Sequence, residues 1–245
     1  NGIILNYAVI LYDKSKSKIQ IVQDIAEELP VAPVMSYFLC DSWYTSVKIM
    51  DCFIKKGFHT IGALKTNRIL YPCGIRQKAS EFALHLRKNE PNVSLVTVGG
   101  REFYVYRYEG KLNDIPNAAV ILSYPKEAFG NPKALRVFLS TNVDLSTKEI
   151  LDTYTKRWPI ELFFRQSKSK LALDKYQIRS KQGIQRYWLI MSLVHYLCCT
   201  CRGKYCTFEE GYLYLQKQLK TEQIEKLYQS IKNGASLDEV LKVVG

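Results

Sequence analysis

Tyr154, Arg157, Glu161 and Lys168 stand at offsets 0, 3, 7 and 14 along the chain. At about 100° per residue, such positions fall within roughly 60° of one another on an α-helix. One helix face would then carry an aromatic hydroxyl, a guanidinium, a carboxylate and an ammonium. A guanidinium can grip a phosphate bidentately, and a lysine acts as a mobile point charge. A carboxylate offers hard oxygens to a divalent metal. By itself, such a row also reads as an ordinary solvated, salt-bridged face. Trp158, beside Arg157, could stack on an unpaired base or serve as a core aromatic. Asp41 follows an apolar run. It has the position of a turn or N-cap residue, and equally of a carboxylate held at the end of a buried strand.

The elements that must position these groups can be read from hydrophobic periodicity. Residues 3–12 and 34–40 are continuous apolar runs, the pattern of strands covered on both faces. Residues 19–29 repeat apolar side chains at helical spacing up to Pro30, and 46–56 do so up to Gly57, a C-cap glycine. Residues 59–64 read as a third strand. Strand, helix, strand, helix, strand is an α/β order. Beyond it, 93–98, 102–108, 118–123 and 135–140 are short runs rich in Val, Tyr and Phe. Gly99-Gly100 between the first two reads as a hairpin turn. Together they predict an antiparallel β insertion at 70–140. The remainder reads as helical. Ser146 followed by Glu149 is a capping box, opening a long helix that Pro159 either kinks or restarts. Residues 184–200 predict a buried apolar helix, and 208–219, 221–232 and 236–243 shorter amphipathic ones.

Lys plus Arg number 35 against 23 Asp plus Glu, a net charge of +12 over 245 residues. Such an excess points to a polyanionic partner, nucleic acid before an anionic membrane surface. Half of it lies at 148–186, where ten basic and four acidic residues surround Glu161. The longest nearly uncharged apolar run, 187–200, falls short of the ~20 residues that span a bilayer. No helical pattern combines a basic face with an exposed apolar one, which argues against a membrane-surface protein. Seven cysteines at irregular spacing suit a reducing cytosol better than a disulfide framework. His195, Cys198, Cys201 and Cys206 are spaced like a zinc knuckle, but most fall inside the apolar helix, where Cys often acts as a small hydrophobe. The chain opens at Asn1 with no charged leader before its first apolar run. It therefore reads as a fragment and not as a secreted precursor.

Tyr154-x2-Arg157-x3-Glu161-x6-Lys168 resembles the Tyr-Arg-Glu-Lys signature of a large group of bacterial insertion-sequence transposases, DDE enzymes with a ribonuclease-H-like core. Arg157-Trp158-Pro159-Ile160-Glu161 is similar to that family's Arg-Trp-x-(Ile/Val)-Glu block, and Leu171 through Tyr176-Gln177-Ile178-Arg179 to the segment after it. Cys40-Asp41-Ser42-Trp43-Tyr44-Thr45 resembles the block around the second catalytic Asp, and Lys65-Thr66-Asn67-Arg68 the basic stretch after the next strand. The four blocks stand in family order.

The resemblance implies a partial ribonuclease-H-like α/β core at 1–69 carrying the second Asp, the β-rich insertion at 70–140, core helices with the catalytic Glu at 141–203, and a helical tail at 204–245. It implies cut-and-paste transposition, with two Mg²⁺ or Mn²⁺ ions about 4 Å apart driving hydrolysis at transposon ends and strand transfer. Asp41 and Glu161 would be the second and third acids and the metal ligands. Tyr154, Arg157, Trp158 and Lys168 would contact DNA. The partners would be double-stranded DNA, both ends and target, and a second copy in a synaptic dimer, in the bacterial cytoplasm at the nucleoid. Residues 3–11 best match the third strand of the core. Asp13 lies in a Lys/Ser turn and Asp24 on a helix, so the first catalytic Asp would precede Asn1 and this fragment alone would be inactive. A reading from another class is a non-catalytic DNA-binding remnant that competes for ends or sequesters intact subunits.

Overall fold

The structure, a computed structural model, describes residues 4, 6–201, 203 and 206–244, with backbone alone at 241–244. The chain forms two compact units: Tyr12–Trp158, and Asn1–Leu11 together with Pro159–Gly245.

In the first unit, α1 (Lys18–Glu28) starts at Ser17, whose hydroxyl accepts the Gln20 N–H at 3.1 Å. β1 (Ser36–Cys40), α2 (Val47–Ile54) and β2 (Phe58–Leu64) follow. Gly57 closes the turn after α2 at φ +81°, a left-handed conformation that side chains resist. Two short strands, β3 (Ile69–Leu70) and β4 (Gln77–Lys78), lead into α3 (Ala79–Ala83). β5 (Val93–Val98) and β6 (Arg101–Gly110) form the expected hairpin, with Gly99 and Gly100 at φ +56° and +77°. β7 (Ala118–Pro125) and β8 (Arg136–Ser140) complete a six-stranded sheet in the order β1-β2-β8-β7-β6-β5. β1 and β2 are parallel; every other pair is antiparallel. The strands at 93–140 join β1 and β2 in one sheet through the β2–β8 ladder, Ile61 opposite Ser140 and Leu64 opposite Val137. The architecture is the mixed α/β one expected, compatible with a ribonuclease-H-like core carrying a sheet insertion. α4 (Thr147–Thr155) starts on the capping box read from the sequence, with Ser146 Oγ accepting the Glu149 N–H at 3.2 Å and Glu149 accepting the Ser146 N–H at 2.8 Å.

Alternate residues of β7 enter different cores, because strand side chains alternate between faces. Ala119 and Ile121 join Ile61, Val105 and the α4 residues Ile150 and Leu151. Val120, Leu122 and Tyr124 join Met50, Val137 and Leu139. The sheet is thus covered on both faces, which is why β7 reads as an unbroken apolar run. A third cluster docks α1 on α2 through Ala26, Ile49 and Phe53, with Phe38 stacked on Phe53 at 3.7 Å.

The second unit holds α5 (Pro159–Lys170), α6 (Lys181–Thr200), α7 (Phe208–Lys232) and α8 (Leu237–Val244). Phe163, Leu173, Met191, His195, Cys198 and Phe208 are buried in it. Gly211 lets α7 approach α6: a Cβ there would lie 1.6 Å from the Cys198 carbonyl oxygen. Three expectations change here. The run at 3–12 carries no strand ladder at its described positions, 4 and 6–12; positions 3 and 5 lie outside the described residues. A strand needs a neighbour for its backbone groups, and the Val9 carbonyl instead accepts Gln185 Nε2 at 3.3 Å, while Asn6 donates to Ser192. α6 is not buried all round. Met191, His195 and Cys198 face the core, but Leu189, Ile190, Leu193 and Leu197 are 44–62% exposed, as for a helix packed on one side only. The helices expected at 208–219 and 221–232 are one. No Gly or Pro interrupts the junction, and the Thr221 hydroxyl donates back to the Lys217 carbonyl at 3.0 Å. Among the described residues, no helix is long and apolar enough to cross a membrane.

Candidate active site

β1 delivers Asp41 to the carboxyl end of the parallel β1–β2 pair, where open α/β sheets place their ligands. Asp41 Oδ1 accepts the Trp43 N–H at 2.9 Å, and its carbonyl accepts that of Tyr44 at 3.1 Å. The N-cap of α2 is Ser46, so Asp41 shapes the turn and does not cap the helix. The turn is pinned to β2. Thr45, 6% exposed, donates its hydroxyl to the Ala63 carbonyl at 3.0 Å. Arg68 Nη2 donates to the Thr45 carbonyl at 3.1 Å and pairs with Asp114 at 3.5 Å. Gly62 makes the close approach possible, since a Cβ there would meet Thr45 Cγ2 at 2.4 Å and Cys40 Sγ at 2.8 Å. Sequence reasoning held Arg68 only as part of a basic stretch. Its positioning role shows only through the carbonyl it reaches.

α4 and the turn after it bring Tyr154 and Arg157 to the same place. The guanidinium carbon lies 5.7 Å from the Tyr154 ring centroid. Burial pushes the Cys40 thiol up to about 12; Asp41 adds to the rise and Arg157 opposes it. The Tyr154 hydroxyl is also raised, chiefly by burial. Arg157 opposes that rise as a nearby charge and hydrogen-bond partner, and Cys40 and Asp41 add to it. Cys40, Tyr154 and Arg157 therefore cluster with Asp41 within electrostatic reach. The Tyr154 ring packs on Phe138 at 4.9 Å, and with Phe103, Phe138 and Leu151 it lines an apolar cavity of about 440 Å³. Trp158 is 58% exposed, which removes the core-aromatic reading.

The single helix face expected to carry Tyr154, Arg157, Glu161 and Lys168 is divided. α4 ends at Thr155, the Trp158 N–H turns back to the Thr155 carbonyl at 3.0 Å, and α5 begins at Pro159. Proline has no N–H to give the preceding turn, so it takes the first helical position, where none is required. Asp41, Tyr154, Arg157 and Trp158 belong to the first unit, Glu161 and Lys168 to the second. Seven residues apart, Glu161 and Lys168 return to one face of α5. Glu161 is half-buried in the first turn, where the helix dipole favours a carboxylate, and Lys168 is exposed near the last.

Residues 1–197 match the family described as Transposase DDE domain. The chain belongs to that family. The transposase domain is an enzyme domain whose substrate is DNA, and its basic excess at 148–186 has the polarity a phosphate backbone needs. A comparison with curated proteins finds no match.

Transposases of this family generally use divalent metal ions. Among the described residues of this domain, no group of three or more His, Cys, Asp or Glu side chains is arranged to hold one. The two aspartates ahead of Asp41 serve other contacts. Asp13 Oδ1 accepts the Ser15 N–H at 3.0 Å. Asp24 takes Lys16 at 2.6 Å and Gln20 at 3.1 Å, which holds its carboxyl below the usual range. At the end of α6, burial pushes the Cys198 thiol up to about 11.

Proposed function

We propose that the chain is the catalytic domain of a cut-and-paste insertion-sequence transposase of the Tyr-Arg-Glu-Lys type. In this reading Asp41 and Glu161 hold Mg²⁺ or Mn²⁺, and Tyr154, Arg157, Trp158 and Lys168 hold DNA, with two copies acting together on paired ends. What supports it most is the convergence of Tyr154 and Arg157 on Asp41, from blocks far apart in sequence. A merely solvated helix face would have no reason to meet a strand-end carboxylate.

The donor chemistry suits the metal. A hydrogen bond occupies one Asp41 oxygen, leaving the other as a hard donor of the kind Mg²⁺ takes. When bound, a metal pair activates the attacking water or 3′-OH and stabilises the leaving oxygen. The chain's own residues bind and orient. Arg157 grips a phosphate bidentately. Lys168 adds a mobile positive charge. Tyr154, whose hydroxyl pKa is raised above its ordinary value chiefly by burial, donates that hydroxyl to a phosphate oxygen. Trp158 offers an exposed indole to an unpaired base.

The test is cleavage, by the full reading frame containing this chain, of a plasmid carrying the element's own terminal repeats, in Mg²⁺ and in Mn²⁺. Asp41→Asn and Glu161→Gln should each abolish cleavage and strand transfer yet keep DNA binding, because each removes a metal ligand and no phosphate contact. Arg157→Ala and Lys168→Ala should each lower the log–log salt slope of DNA binding by about one. Unaltered cleavage by either acid variant overturns the assignment. DNA binding without any metal-dependent cleavage by the parent protein favours the non-catalytic competitor instead.

A further inference from the structure

We propose that the turn after β1 carries a docking site for an unpaired nucleobase and its phosphate, built from Trp43 with Lys65 and Lys18 beside Asp41. The proposal rests on DNA as the substrate and adds a subsite to the Asp41 end of the domain.

Trp43 is 75% exposed, although tryptophan is highly buried on average. Its ring is not what holds the turn. The turn is held by its backbone N–H on Asp41, by Thr45 on Ala63 and by Arg68 on Thr45. The indole is therefore presented from a rigid base. Lys65 Nζ lies 5.0 Å from its ring centroid, a cation–π position. Trp43 also lines, with Ser17, Lys18, Ile19, Asp41 and Tyr44, a cavity of about 440 Å³, a size typical of small-ligand sites.

Charge and shape select the occupant. Lys18 and the Asp41 carboxylate line the cavity and Lys65 lies over the indole at its edge, so a neutral apolar occupant would leave both ammonium groups unused. A nucleotide supplies both halves of the match, a π face for the indole and a phosphate for the lysines. Stacking of this kind tolerates any base. In an intact duplex the base faces are already stacked on one another, so the site discriminates in favour of unpaired strand. Because Asp41 is two residues away and bonded to the Trp43 N–H, a base seated here sits next to the carboxylate assigned to the metal.

The experiment uses the full chain with oligo(dT) and with a blunt duplex of equal length. Oligo(dT) bearing 5-iodouracil should photo-crosslink to Trp43, mapped by mass spectrometry. Trp43→Ala should weaken oligo(dT) binding about tenfold, as expected for the loss of one base stack. Trp43→Phe should recover most of it, and duplex affinity should change by less than about twofold. Because the ring is exposed, the Ala variant should keep the parent unfolding midpoint, which is measured alongside. An Ala variant that binds oligo(dT) as tightly as the parent, or that loses single-strand and duplex affinity alike, overturns the site and leaves the DNA reading standing. A parent chain that binds neither probe removes that reading and the site with it.

Discussion

Arg68 holds the Thr45 carbonyl at 3.1 Å and the Asp114 carboxylate at 3.5 Å, so one guanidinium ties the Asp41 turn to the β6–β7 connection. Arg68→Ala should destabilise the first unit by about 1.5–3 kcal/mol, the range for a hydrogen bond made by a charged group. Arg68→Lys should recover only part, because an ammonium cannot reproduce the planar fork. Urea unfolding at unchanged slope measures both. A cost near zero for the Ala variant would show that the turn holds itself.

Gly62 sits where β2 passes under that turn. A methyl there would press on Thr45 Cγ2 at 2.4 Å and Cys40 Sγ at 2.8 Å. Gly62→Ala should cost about 1–3 kcal/mol or more by overpacking. Thr45→Ser, which deletes Cγ2, should rescue part of the loss in the double variant, so the two effects should not add. Simple additivity of the unfolding free energies would mean that the strand shifts away.

Tyr154 combines two roles that substitution can separate. Its ring packs on Phe138 at 4.9 Å, and its hydroxyl faces Arg157. Tyr154→Phe should leave the unfolding midpoint nearly unchanged and weaken DNA binding severalfold through one lost phosphate contact. Tyr154→Ala should in addition cost about 2–3 kcal/mol, below the full range for a buried aromatic because the residue is half-buried. Equal DNA affinity of the Phe variant and the parent would reduce Tyr154 to a packing residue.

His195 makes the second unit sensitive to acid. Its ring stacks on Phe208 at 4.8 Å and meets the edge of Phe163 at 4.8 Å, with Nε2 3.0 Å from Gln166 Oε1. Burial depresses its pKa. The unfolded chain therefore takes up this proton first, near pH 6.5. The stability conferred by the neutral ring is present above about pH 6.5 and is lost as pH falls from there toward the lower folded value. His195→Phe should flatten the decline in stability between about pH 7 and 5 relative to the parent. Parallel pH profiles of the two proteins would show that His195 titrates alike folded and unfolded.

The amino-acid sequence alone determined the local features. The strand expected at 3–12 was not formed at its described positions, whereas the helix-strand-helix-strand order over 18–64, the Gly99-Gly100 hairpin, the Ser146 capping box, the Gly57 helix stop and the strand-end place of Asp41 were legible. Each depends on periodicity, turn chemistry or capping within a few residues. The Tyr-Arg-Glu-Lys spacing was legible as a pattern, but its single-face geometry was not, because Pro159 restarts the helix between Arg157 and Glu161. Tertiary structure alone decided the rest. It brought Tyr154 and Arg157 to Asp41, set Arg68 on Thr45, required a glycine at 62, left Trp43 and the Leu189–Leu193–Leu197 stripe exposed, and denied residues 6–12 a strand partner. These outcomes depend on which segments become neighbours. In the first unit that is set by the sheet order β1-β2-β8-β7-β6-β5, in which β2 lies beside a strand more than seventy residues away along the chain. No local pattern encodes such a pairing; it is chosen by the cooperative burial of both sheet faces at once.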